Sequence, residues 1–108
     1  MPIWFGTGTG ETALRRAARL GDGWMTIGDF LPHIARFQGY LSEFGRDPVG
    51  FPIRGSMIAG DGGPDSWIGT AFRYRDAGVT HLNIGAPAGV PALERVVAAR
   101  AAIAGALG

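Results

Sequence analysis

Residues 2–27 read PIWFGTGTGETALRRAARLGDGWMTI, and this stretch decides the fold class. Pro2-Ile3-Trp4-Phe5 is a short apolar run of strand formers that stops at Gly6-Thr7-Gly8-Thr9-Gly10, a glycine-dense turn. Ala13, Leu14, Ala17, Ala18 and Leu20 then recur at helical spacing. Glu11 in the first turn and Arg15, Arg16 and Arg19 later suit the two ends of the helix dipole, and Gly21 is a natural stop. Trp24-Met25-Thr26-Ile27 reads as a second strand. Strands separated by a helix need a crossover connection, so the two are expected to belong to a parallel sheet.

The same alternation continues outward. Leu31, Ile34, Phe37, Leu41 and Phe44 lie three or four apart and end at Gly45 with Asp47-Pro48, which predicts a second helix. A third strand is expected over 51–58, a third helix from Pro64 to Gly78, and a fourth strand over 79–84. Pro91 opens a last, alanine-rich helix, whose buried side is expected to be Leu93, Val96, Val97, Ile103 and Leu107. The class is α/β, with β-α repeated four times and a parallel sheet. Two architectures satisfy that pattern: an open doubly wound sheet with helices on both faces, or an arc of a (β/α)8 barrel with helices outside. A barrel devotes about 31 residues to each unit, so four units fit the 108 residues present. Alternation places Arg54 with Pro52, Ser56 and Ile58 on one face of the third strand, and His81 with Val79 and Asn83 on one face of the fourth. A barrel lumen holding a polar ligand would give Arg54 and His81 partners. Strand ends open to solvent would accommodate them equally.

Composition removes several chemistries. All 10 residues in the Lys+Arg count are arginine and there is no cysteine. Without lysine there is no Walker-type phosphate loop and no Schiff-base nucleophile; without cysteine there is no thiolate, disulfide or zinc-thiolate site. His33 and His81 are isolated and the carboxylates lack ligand spacing, so no metal site is expected. A net charge of +1 with no basic run argues against nucleic acid, and no stretch approaches the ~20 apolar residues of a membrane span. The amino terminus lacks the regions of a signal peptide, which makes the cytoplasm the expected location.

Gly6-Thr7-Gly8-Thr9-Gly10-Glu11 joins a strand to a helix, so free backbone N–H groups and the positive helix end face one space, the outline of an anion site. Thr7, Thr9 and Thr12 add hydroxyls, with Arg15 or Arg16 one turn beyond. The competing explanation is that the glycines only permit a tight connection. Gly8-Thr9-Gly10-Glu11-Thr12-Ala13 also satisfies the G-x-G-x-x-A dinucleotide fingerprint, with Asp29 at about the distance of a ribose-binding acid. Gly21-Asp22-Gly23-Trp24 before the second strand has no place in that fingerprint.

Taken together, Pro2-Ile3-Trp4-Phe5-Gly6-Thr7-Gly8-Thr9, Ala13-Leu14-Arg15-Arg16-Ala17-Ala18 and Gly21-Asp22-Gly23-Trp24 closely resemble the C-terminal part of the luciferase-like monooxygenases. Gly45-Arg46-Asp47-Pro48 and Asp76-Ala77-Gly78-Val79-Thr80 resemble that family's later segments. The resemblance implies a single segment over 1–108 whose four βα units form the C-terminal half of a (β/α)8 TIM barrel. It implies flavin-dependent monooxygenation or hydride transfer, with FMN or a deazaflavin coenzyme of the F-420 type as cofactor. Thr7, Gly8, Thr9 and Gly10 correspond to the region that holds the cofactor phosphate, and Arg54 and His81 are candidates for a substrate or phosphate contact. The expected partners are the flavin-type cofactor, a small-molecule substrate, and either a second copy or a complementing N-terminal half. Because the resemblance covers only four units, a noncatalytic, self-associating half-barrel is the alternative, with a Rossmann-like dinucleotide binder third.

Overall fold

The computed structural model describes residues 2–107. In chain order they form β1 (Trp4–Thr7), α1 (Glu11–Leu20), β2 (Gly23–Thr26), a 3-10 turn (Leu31–His33) leading into α2 (Ile34–Glu43), β3 (Ile53–Ile58), α3 (Gly63–Ala77), β4 (His81–Gly85) and α4 (Ala92–Leu107). The sheet order is β1-β2-β3-β4 and every neighbouring pair is parallel. A right-handed crossover that always steps the same way lays each helix on the same side of the sheet.

The core confirms that one-sidedness. Trp24 pairs with Ile53, Gly55 with Leu82 and Met57 with Ile84, so these residues share a face. Against it, Leu14, Ala17 and Ala18 of α1 join Ile34, Phe37 and Leu41 of α2 around Trp24 and Ile53. Further along, Trp67 and Ala71 of α3 join Ala99 and Ile103 of α4 around Met57, Leu82 and Ile84. All four helices therefore cover one face, which excludes the doubly wound sheet. The order also lacks the reversal at which dinucleotides bind in such sheets, so the Rossmann alternative loses its site.

The other face is open. Gly6, Met25, Arg54 and His81 form one row across all four strands, with Trp4 and Gly23 below them and Ser56 and Asn83 above. Burial alternates strictly along β3: Ile53, Gly55 and Met57 are covered while Arg54, Ser56 and Ile58 are exposed. The open face is concave. On a flat sheet the outer strands would stand about 14 Å apart at about 4.8 Å per strand. Yet the Trp4 and His81 rings, on β1 and β4, meet edge to face with centroids 5.4 Å apart. Glycine at 23 permits this reach, because a methyl group there would lie 2.6 Å from the Trp4 indole carbons.

Several boundaries differ from the sequence expectation. β1 runs on through Gly6 and Thr7, which pair with Met25 and Thr26, so the glycine-rich turn begins only at Gly8. The strand ladder there overrides the glycine's preference for a loop. On α4 the expected buried side is only partly covered: Ile103 is buried, but Leu93 is 78% and Val97 58% exposed. Among the described residues α4 packs chiefly on α3 and β4, beside an edge strand, which leaves one side of it uncovered. No helix among the described residues is long and apolar enough to cross a membrane.

Candidate functional site

Gly8-Thr9-Gly10 lies at the C-terminal end of β1 and delivers the chain into α1. Gly10 stands in the cap position with extended backbone and no side chain caps the helix; its carbonyl accepts the first helical bond from the Leu14 N–H at 2.9 Å. The N–H groups of Glu11, Thr12 and Ala13 are therefore left for whatever occupies the space above them. Neither Gly8 nor Gly10 has positive φ, and a Cβ built on either meets nothing within 4 Å. Among the described residues neither backbone angle nor crowding demands glycine at these two positions, and at Gly10 the cap position itself favours glycine over an apolar side chain. At Gly8 the backbone shows no strain or crowding that calls for glycine, and at both positions it is open to access from outside.

Two contacts hold the loop. The Trp24 Nε1–H donates to the Thr7 carbonyl at 3.0 Å, fastening the end of β1 to the helix-side core. Arg36 of α2 donates through Nη2 to the Thr9 carbonyl, which brings a guanidinium to the loop. Arg36 carries no signal in the sequence, since it lies 27 residues away and reaches the loop only through α1–α2 packing. Of the two arginines expected one turn along α1, Arg15 is already engaged. Its Nε and Nη1 donate to Glu11 at 3.1 Å and Glu43 at 2.9 Å, its guanidinium lies over the Tyr40 ring, and the two carboxylates raise its pKa further. Arg16 lines a groove beside β1 with Thr7, Gly6 and Ala13.

The motifs that carry the family resemblance are fasteners of the fold. Asp22 accepts the Ile3 N–H at 2.7 Å and returns its own N–H to the Ile3 carbonyl at 2.6 Å, closing the base of β1. Trp24 is fully buried on the helix side, away from the open face, so its role is packing. Arg46 donates to the Ala18 carbonyl at 2.9 Å and stacks on Phe51, tying the end of α1 to the entry of β3. Thr80 Oγ1 accepts the Ile53 N–H at 2.9 Å.

Arg54 and His81 are register partners on the open face. Both are exposed, and among the described residues Arg54 enters no ion pair. His81 Nδ1 lies 2.8 Å from Thr80 Oγ1, and its ring stands edge to face with that of Trp4. The structure thus joins Arg54 to His81 but sets them apart from the loop. Arg54 is two strands from β1, about 10 Å by strand spacing. Among the described residues, no three His, Cys, Asp or Glu side chains gather as metal ligands. No protein-family model matches the chain, and no curated protein matches it significantly.

Proposed function

We propose that this chain forms the cofactor-phosphate-binding half of a (β/α)8 barrel in a flavin- or deazaflavin-dependent oxidoreductase of the luciferase-like type. The observation that carries the proposal is the Gly8-Thr9-Gly10 turn: two uncrowded glycines that leave the backbone open, set before a helix start with no side-chain cap at the C-terminal end of a parallel strand. Helix starts after such turns hold phosphates with backbone N–H groups and the positive end of the helix dipole. Sequential strand order with helices on one face, and a concave, polar opposite face, suit one half of a barrel wall.

When bound, FMN or the deazaflavin supplies the redox chemistry. The chain's own residues bind and orient it. The amides of Glu11, Thr12 and Ala13 donate to the phosphate, Thr7 and Thr9 offer hydroxyls, and Arg36 braces the Thr9 carbonyl so that the turn keeps its shape. Arg54 and His81 stand lower in the lumen wall, within reach of a substrate or of the wall facing them. The test is equilibrium titration of the folded protein with FMN and with the F-420-type deazaflavin, folding being checked by circular dichroism. Saturable binding of at least one is expected. A folded sample with affinity for neither would remove the function and leave only the architecture.

A further inference from the structure

We infer that the open face of the sheet is built to be covered by a partner that brings a carboxylate opposite Arg54, and that a second copy of this chain is the wrong partner. The inference rests on the half-barrel architecture proposed above, and not on flavin binding. Among the described residues nothing pairs with the outer edge of β1 or of β4. Beside the β1 edge runs a groove of about 400 Å³ walled by Trp4, Phe5 and Ala13; beside the β4 edge runs one of about 460 Å³ walled by Ile84, Val96 and Leu107. Leu20 on α1 and Leu93 and Val97 on α4 extend these apolar strips along the flanking helices. Only parallel strands carrying their own outer helices extend both edges and cover both strips, so the occupant is another set of βα units.

A second copy meets the edge requirement by symmetry: a two-fold axis along the strands sets each β4 beside the other chain's β1. The charges oppose it. In the resulting ring of eight, the two β3 strands stand diametrically opposite, four strands apart. The two Arg54 guanidiniums then converge on the barrel axis with a His81 beside each. The strand residues of the open face include no Asp or Glu, so no carboxylate of the sheet itself compensates them. Two like charges withdrawn from water without a counter-charge disfavour closure. A facing wall that presents Asp or Glu at the level of Arg54 turns the same convergence into an ion pair.

A charge-swapped copy serves as the probe for such a wall. Wild-type chain, the Arg54→Glu chain and their equimolar mixture are compared at micromolar concentration by light scattering and by native mass spectrometry, in which the three possible dimers differ in mass. The expected result is that each chain alone stays monomeric, while the mixture forms the mixed dimer at least about tenfold more tightly than either pure dimer. Arg54 is exposed and, among the described residues, without an ion-pair partner, so the variant is expected to fold; Arg54→Asp is the second variant should it not. Mixing wild type with Arg54→Gln, which removes the charge without supplying a carboxylate, is expected to pair more weakly than mixing with Arg54→Glu. Wild-type chain that dimerises as tightly as the mixture overturns the inference, as does a mixture that stays monomeric. Because mass is read here and flavin affinity in the titration, either can fail while the other stands.

Discussion

Replacing Trp24 by alanine is expected to remove most of the protein's stability. Trp24 is fully buried, its ring centroid lies 4.7 Å from Phe37 and 6.5 Å from Phe30, and its Nε1–H holds the Thr7 carbonyl at 3.0 Å. Truncating a buried tryptophan to alanine costs about 3–5 kcal/mol. Small domains carry net stabilities near the lower end of roughly 5–15 kcal/mol, and this one has open edges as well. Trp24→Phe keeps most of the packing and loses the hydrogen bond, for about 1 kcal/mol. Urea denaturation followed by circular dichroism checks both. A cooperative transition for Trp24→Ala close to that of the wild type would mean that the α1–α2 cluster is not the stabilising core.

The Gly8→Val, Gly10→Val pair has the opposite profile. Gly10 has φ −66 and ψ 142, a conformation valine adopts readily, and neither position has a neighbour within 4 Å of a built Cβ. Because Gly10 holds the cap position of α1, where glycine is preferred over an apolar side chain, stability is expected to fall by about 1 kcal/mol, with Gly8→Val adding little to that. Affinity for a phosphate-bearing flavin is expected to fall at least about tenfold for each amide contact the new side chains block, since a hydrogen bond to a charged group is worth about 1.5–3 kcal/mol. Thermal melts and flavin titration on the same preparations separate the two effects. A large loss of stability with unchanged binding would mean that the glycines serve the fold after all.

The order of elements was legible in the sequence because each helix carries its own periodicity and its own punctuation. α1 runs from Glu11 to Leu20, between the glycine turn and Gly21, as its spacing suggests. The alternation that sets Arg54, Ser56, His81 and Asn83 on one face also holds, because a strand's period of two is local information. What periodicity does not carry is the order of strands in the sheet, and hence whether helices cover one face or two. Nor does it carry the neighbours a helix lacks, which is why Leu93 and Val97 look like core in the sequence and lie in the open in the structure. At the loop, a run of three glycines hid the strand pairing of Gly6 and Thr7. Arg36 and the indole bond of Trp24 were invisible for a simpler reason: both contacts join residues at least 17 apart and exist only after α1, α2 and β2 have packed.

The fasteners also explain why motif similarity and function are separate matters in this chain. Asp22, Arg46 and Thr80 spend their hydrogen bonds on backbone groups at the bases and turns of the βα units. They specify the architecture. The proposed phosphate binding would rest on backbone amides at the other end of β1, where side-chain identity matters less than the absence of a side chain.

One comparison tests phosphate capture by the Gly8-Thr9-Gly10 turn most directly: titration of the wild-type protein with FMN and with riboflavin, which share the ring and differ in the phosphate. Phosphate held by the amides that open α1 predicts that FMN binds at least about tenfold more tightly than riboflavin, and that the Gly8→Val, Gly10→Val pair erases the difference. Equal affinities for the two flavins, or a preference for FMN that survives the double substitution, would contradict it.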